Sequence, residues 1–179
     1  SSNVAATNLG LELGVSKLKT FYQKLGFGQK TGIELPGEQT GKLNFTYKTE
    51  LANASFGQGI TTTPIQNLQA MTVFTNNGTM IKPYLIDHIT DNTGRTIYTG
   101  KRTVVRDVAS SKNVKYMTGL MHKVVYEGLT NYWQPNNVTL IGKTGTAQIA
   151  SPTGGYMHGD YDYIKSFAGI FPEEDPKYI

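Results

Sequence analysis

The sequence has no cysteine among its 179 residues, which excludes disulfide bridges, thiolate catalysis and Cys-based zinc sites together. It is also sparing with charge: 17 Lys plus Arg stand against 13 Asp plus Glu, a formal net charge of +4. Charges this few and this scattered do not make the basic stripe that nucleic acid requires. The densest basic stretch, Lys101-Arg102-Thr103-Val104-Val105-Arg106, alternates as an exposed strand does and reads as a solvated face. No run approaches the roughly 18 apolar residues of a membrane span, and no charged start leads into an apolar stretch as a signal peptide would. Any membrane anchor is expected outside this chain. His88, His122 and His158 stand singly, without paired ligand spacing, so no metal and no other cofactor is expected.

What is present reads as one domain over residues 1–179, since a globule of that length buries roughly 70% of the surface its unfolded chain exposes. Helical spacing runs from the opening Ser1-Ser2-Asn3 to about Gly14, and again through Val15, Leu18, Tyr22 and Leu25 until Gly26. From Phe27 to Asn53, glycine and proline punctuate a polar stretch that reads as a long surface excursion. Thr62-Thr63-Pro64 then supplies a cap hydroxyl and a first-turn proline for a helix whose apolar stripe is Ile65, Leu68, Met71 and Phe74. Strands are expected over Met80–Thr90 and Thr96–Val108 around the turn Asp91-Asn92-Thr93-Gly94, and a helix over Ser111–Glu127. The end reads as a hairpin of Val138–Ile149 and Lys165–Phe171, followed by a turn at Pro172-Glu173-Glu174-Asp175 and a further strand. Helices followed by an antiparallel sheet predict an α/β sandwich, helices packed on that sheet. Ser1 opens directly on a motif and Pro176-Lys177-Tyr178-Ile179 stops as a strand begins, so the chain is expected to be part of a larger domain.

The sharpest motif is Gly142-Lys143-Thr144-Gly145-Thr146, directly after the apolar run Val138-Thr139-Leu140-Ile141. A phosphate-binding loop also contains Gly-Lys-Thr but needs a glycine where Asn137 stands. An apolar β run also lacks the row of backbone donors that a loop opening a helix turns toward phosphates. Read as a strand, Thr144 and Thr146 share one face, Lys143 takes the other, and Gly145 leaves the backbone uncovered. Such an edge can hydrogen-bond an extended peptide, with hydroxyls and an ammonium for its terminal carboxylate. An ordinary surface strand satisfies the same residues. Ser1-Ser2-Asn3 is the second candidate, a hydroxyl and an amide two residues apart at a helix start, where a helix cap is an equally ready reading.

In their order and separation these two motifs resemble the Ser-x-Asn and Lys-[Ser/Thr]-Gly signatures of the penicillin-binding proteins and serine β-lactamases. Ser55-Phe56-Gly57-Gln58-Gly59, Thr62-Thr63-Pro64-Ile65-Gln66, Gly26-Phe27-Gly28, Leu35-Pro36-Gly37-Glu38 and Asn77-Gly78-Thr79-Met80-Ile81-Lys82-Pro83 are similar to the class B transpeptidases. The resemblance covers nearly the whole chain and implies the fold of that family, in its C-terminal part. The family's nucleophile signature, Ser-x-x-Lys, belongs before Ser-x-Asn and is expected upstream of Ser1. Ser16-Lys17-Leu18-Lys19 matches it in letters but follows Ser-x-Asn and lies on the polar side of a helix, so it reads as a chance match.

The resemblance implies an enzyme that attacks the D-Ala-D-Ala end of a peptidoglycan stem peptide with a serine, passes the acyl group to a neighbouring amine, and is acylated by β-lactam antibiotics. It implies that Ser1 relays a proton toward the leaving nitrogen and that Asn3 holds the substrate's amide side chain. Lys143 would supply positive potential, Thr144 and Thr146 would bind the terminal carboxylate beside Gly145, and the Thr146 N–H would form half of an oxyanion hole. Its partners would be the stem peptide, β-lactams, the upstream half of the same domain and possible wall-synthesis proteins, at the extracytoplasmic face of the bacterial membrane. Within the family the rival is a β-lactamase or a β-lactam-sensing domain; outside it, a non-catalytic peptidoglycan-binding module. Gln58 and Gly59 are expected to pack, and Trp133 with Tyr132 to serve as interface or core aromatics.

Overall fold

The computed structural model describes residues 2–128, 137–159 and 161–179. Helix α1 (Asn3–Leu13) ends at Gly14, and α2 (Val15–Lys24) follows at once, burying Leu18. The polar excursion beyond it is less loose than its composition predicts. It contains helix α3 (Lys48–Ala54) and buries Leu43, Phe45 and Leu51. Glu50 caps the start of α3, its carboxylate accepting the Thr46 N–H at 2.6 Å and the Tyr47 N–H at 3.0 Å, a signal hidden because Tyr47 rather than a short hydroxyl or amide residue stands at the cap position. Phe45, Leu51 and Ala54 close on Leu18, with Val15, Tyr22 and Ile60 around them, into a first core. The hydroxyl of half-buried Tyr22 donates to Ala54 O at 2.7 Å.

Helix α4 (Pro64–Thr75) starts where the cap and proline predict, with Thr63 and Gln66 satisfying each other's backbone N–H. Its inward face differs from the apolar stripe. Gln66, Gln69, Ala70 and Val73 are buried, while Leu68 stays 44% exposed. A buried amide is costly unless its donors and acceptor are met, and these are. Gln66 donates to Gln29 O at 2.6 Å and Thr40 O at 2.8 Å, and Gln69 donates to Ile81 O at 3.3 Å. Two glutamines thus tie α4 to the chain around it, and the period of apolar residues cannot register that.

Each of the two long expected strands is broken in two. β1 (Thr79–Lys82) pairs antiparallel with β4 (Thr103–Asp107), and β2 (His88–Thr90) with β3 (Thr96–Thr99), making one ribbon folded within another. Pro83, without a backbone donor, and Gly100 fall in the gap between the two pairs. Met80 and Val108 anchor the ribbon's base on Val73 and Val114, whereas every residue of β2 and β3 is exposed. Helix α5 (Ser111–Lys123) runs on into a π-helical turn, Val124–Gly128.

The closing hairpin joins β5 (Ile141–Gln148) to β6 (Tyr163–Ile170) in continuous register, from Ile141 opposite Ile170 to Gln148 opposite Tyr163. Past it, Phe171 makes a single antiparallel bridge to Tyr178. Ile141 and Ile170 are fully buried against Met121, with Met71 and Phe74 of α4 beside them. Helices packed on antiparallel strands give the α/β architecture that the element order predicts.

Candidate active site

β5 is anchored at one end and open at the other. Burial falls from Ile141 and Gly142 to exposed Lys143, Thr144 and Thr146, so the apolar start of the strand holds a polar stretch out to solvent. Gly142 has no room for a side chain, since a Cβ there would lie 2.4 Å from Phe167 Cζ and 2.6 Å from Ala168 O. At Gly145 a Cβ would lie 2.5 Å from Ser166 Oγ.

The hydrogen-bond alternation decides which way the motif faces. Thr139 O accepts the Glu173 N–H at 3.1 Å, and the Ile149 N–H donates to Asp162 O at 3.0 Å. Odd-numbered residues of this strand therefore turn their backbone groups toward β6, and the unbroken register turns those of Thr144, Thr146 and Gln148 to the opposite edge. Although alternation sets the Lys143 stem on the face away from Thr144, its ammonium curls back and donates to Thr144 O at 2.6 Å and Oγ1 at 3.4 Å. A positive charge, two hydroxyls and outward backbone groups thus share one exposed edge. That arrangement suits a carboxylate-ended extended peptide.

Ser1 and Trp133 with Tyr132 lie outside the described residues. Ser2 caps α1, its Oγ accepting the Ala5 N–H at 3.3 Å, and Asn3 is the exposed first residue of the helix. Helix α1 rests on α3: Thr7 Oγ1 donates to Ala52 O at 3.4 Å, and Gly10 lies so close to Ser55 that a Cβ would come within 1.7 Å of Ser55 Oγ. From the end of α3 the chain passes to Gln58. The Gln58 amide donates to Gln148 O at 3.2 Å and accepts the Gln148 N–H at 3.3 Å. Contacts therefore run from α1, which carries Asn3, through α3 and Gln58 to the motif strand. Gln58 does more than the packing expected of it, and the Gly-Gln-Gly spelling was the available signal.

Ser16 is exposed on α2, and Lys19, its partner in the chance match, sets its ammonium 5.8 Å from the Phe45 ring centroid. His122 is held by Glu173 at 2.7 Å and stacks on Tyr126. Among the described residues no three His, Asp or Glu side chains converge as metal ligands, and no helix is long and apolar enough to cross a membrane. A hollow of about 430 Å3 lined by Tyr126, Val138, Thr139 and Glu174 sits before the start of β5, and no residue of the Lys143 motif lines it. The chemistry of the exposed edge makes that edge, rather than the hollow, the candidate site.

Helices packed on antiparallel strands, with the Lys-Thr-Gly-Thr stretch exposed on an outer edge, define the chain's class as α/β. The family model described as the penicillin binding protein transpeptidase domain matches residues 1–179, and the chain belongs to that family. It is 35% identical over its whole length to stage V sporulation protein D of Bacillus subtilis, covering 28% of that protein. To a peptidoglycan D,D-transpeptidase FtsI homolog of Mesostigma viride it is 29% identical, again over its whole length, covering 33%. Among solved structures, penicillin binding protein 3 of Mycobacterium tuberculosis complexed with aztreonam superposes with a TM-score of 0.86 at 28% identity, over 98% of this chain and 41% of that one. The chain spans about a third or less of the length of these curated relatives.

Proposed function

We propose that these residues supply the substrate-binding edge of a peptidoglycan D,D-transpeptidase that works through an acyl-serine and is acylated by β-lactams. The observation that carries this reading is the free edge of β5, where the Lys143 ammonium, the Thr144 and Thr146 hydroxyls and outward backbone groups stand together. A stem peptide ending in D-Ala-D-Ala would lie along that edge, its carboxylate against the two hydroxyls and its scissile carbonyl at the Thr146 N–H. One such donor contributes about 3 to 4 kcal/mol in the transition state. Asn3 would hold the peptide's amide side chain, and Ser1 would pass a proton to the leaving nitrogen. The nucleophile needs a base to ionise it at neutral pH, and the order of the family's motifs assigns both serine and lysine to a segment ahead of Ser-x-Asn. Peptidoglycan as substrate places the reaction at the outer face of the cell membrane. An FtsI homolog named for D,D-transpeptidation and a neighbour that holds aztreonam support the reading.

The test is labelling of the full-length protein by a fluorescent penicillin. The wild type is expected to take one label, and Lys143→Ala to take none while keeping its circular dichroism and melting temperature. An unlabelled wild type sinks the reading, and near-normal labelling of Lys143→Ala removes that lysine from the site.

A further inference from the structure

We propose that Gln58 is a positioning residue that closes the open edge of β5 behind Thr146, and so ends the stretch along which an extended ligand can pair. The proposal rests on the acyl-transfer reading of that edge. Successive residues of β5 turn their backbone groups to opposite sides, so the outward set after Thr144 and Thr146 is that of Gln148. Both of its groups are taken. The Gln58 carboxamide offers one donor and one acceptor in the spacing of a peptide unit, and it meets Gln148 O at 3.2 Å and the Gln148 N–H at 3.3 Å. A single side chain thus occupies the place of the next strand and leaves the edge open only on the Thr144 and Thr146 side.

The local backbone is built to aim that side chain. The Gln58 N–H donates to Asn53 O at 3.0 Å, as does the Phe56 N–H at 3.2 Å, so the segment folds back over the end of α3. Gly57 at φ +92° and Gly59 at φ +78° flank it, in a region that side-chain-bearing residues rarely enter. Each glycine allows a turn, and the two together present Gln58 to β5. Gln58 is half-buried, so its hydrogen bonds are partly shielded from water. Since α3 also carries α1, the same contact fixes the motif strand relative to the helix that bears Asn3.

The experiment uses full-length protein and the second-order rate of acylation by a fluorescent penicillin. Losing both hydrogen bonds in Gln58→Leu is expected to lower that rate by about tenfold at every pH. Gln58→Glu supplies a readout that general destabilisation would not mimic. A protonated carboxyl has one donor and one acceptor and copies the amide, whereas the carboxylate only accepts and faces the Gln148 carbonyl. Hydrogen bonding to its neutral form and partial burial raise its pKa. The Gln58→Glu to wild-type rate ratio is therefore near one at acid pH and falls as pH rises through that titration. A Gln58→Leu rate within about twofold of wild type, or a pH-independent Gln58→Glu ratio, overturns the proposal. Should Gln58→Leu not fold, the Gln58→Glu profile decides alone. Hydrogen exchange at the Gln148 amide separates this claim from the functional one. It is expected to be protected in wild type and to lose protection in Gln58→Leu, which removes the acceptor of the Gln148 N–H, and equal protection in the two overturns the proposal even if the wild type takes no penicillin.

Discussion

Two single side chains can be tested directly, Thr146 on the exposed edge of β5 and Glu38 in the excursion before α3. Thr146→Val removes a hydroxyl and keeps the backbone N–H, so reaction with carboxylate-bearing β-lactams is expected to lose one charge-assisted hydrogen bond, about 1.5 to 3 kcal/mol. The measurement is a pair of acylation rates, one for a carboxylate-bearing compound and one for an analogue without it. An equal loss for both shows that the hydroxyl is not the carboxylate's partner. Glu38 gives a pH dependence. Desolvation pulls its carboxyl upward, but the Thr31 hydroxyl and N–H, the Gly32 N–H and the nearby Lys30 charge outweigh it and hold the pKa below the usual carboxylate value. A lowered native pKa means that the bound carboxylate stabilises the fold above the unfolded-state pKa, and that this is lost as pH falls through the native one. Glu38→Gln should therefore lower the melting temperature at neutral pH and make no difference at strongly acid pH. A melting-temperature gap that persists unchanged into acid would assign the effect to something other than the charge.

At the scale of elements, the contact of α1 with α3 depends on one missing methyl. Alanine is the better helix former by about 1 kcal/mol, yet a Cβ on Gly10 would sit 1.7 Å from Ser55 Oγ and 2.6 Å from Ser55 Cβ. Overpacking of that kind costs about 1 to 3 kcal/mol, so Gly10→Ala is expected to destabilise the domain in urea unfolding. Adding Ser55→Gly removes the obstructing atoms and should restore most of the loss, and additive effects of the two changes would refute the contact. These elements were unequally legible in the sequence. The start of α4 was written in Thr63 and Pro64, and the hairpin of β5 and β6 in its β-branched run and turn. The buried face of α4 was not, because Gln66 and Gln69 are held by backbone carbonyls that come from distant parts of the chain. Helix α3 was hidden because Tyr47, not a short polar residue, stands at its cap position inside a glycine-punctuated stretch. The Lys-Thr-Gly-Thr edge could be read as a strand, but the role of Gln58 needed the register of β5, which only the folded pairing supplies.

For the whole molecule, the proposed mechanism draws its nucleophile from a segment ahead of Ser-x-Asn, and no serine within the 179 residues is expected to replace it. Produced alone, they are expected to show no mass gain with excess penicillin, whereas the full-length protein gains one adduct. Ser16 has a lysine one turn on, but that serine is exposed and the lysine is drawn to the Phe45 ring, so it stays an ordinary alcohol. A stoichiometric adduct on any serine of the isolated chain would overturn this. Far from that edge, the outer ribbon behaves as a unit of its own. The Asp91 carboxylate gathers the Thr93 and Arg95 N–H groups, the Thr93 hydroxyl and the Arg95 side chain, closing the tip on itself. The strands on either side expose every residue. A fluorophore or affinity tag spliced between Asn92 and Thr93 would therefore project into solvent without straining the base of the ribbon, and the protein carries a ready-made handle by which it can be followed.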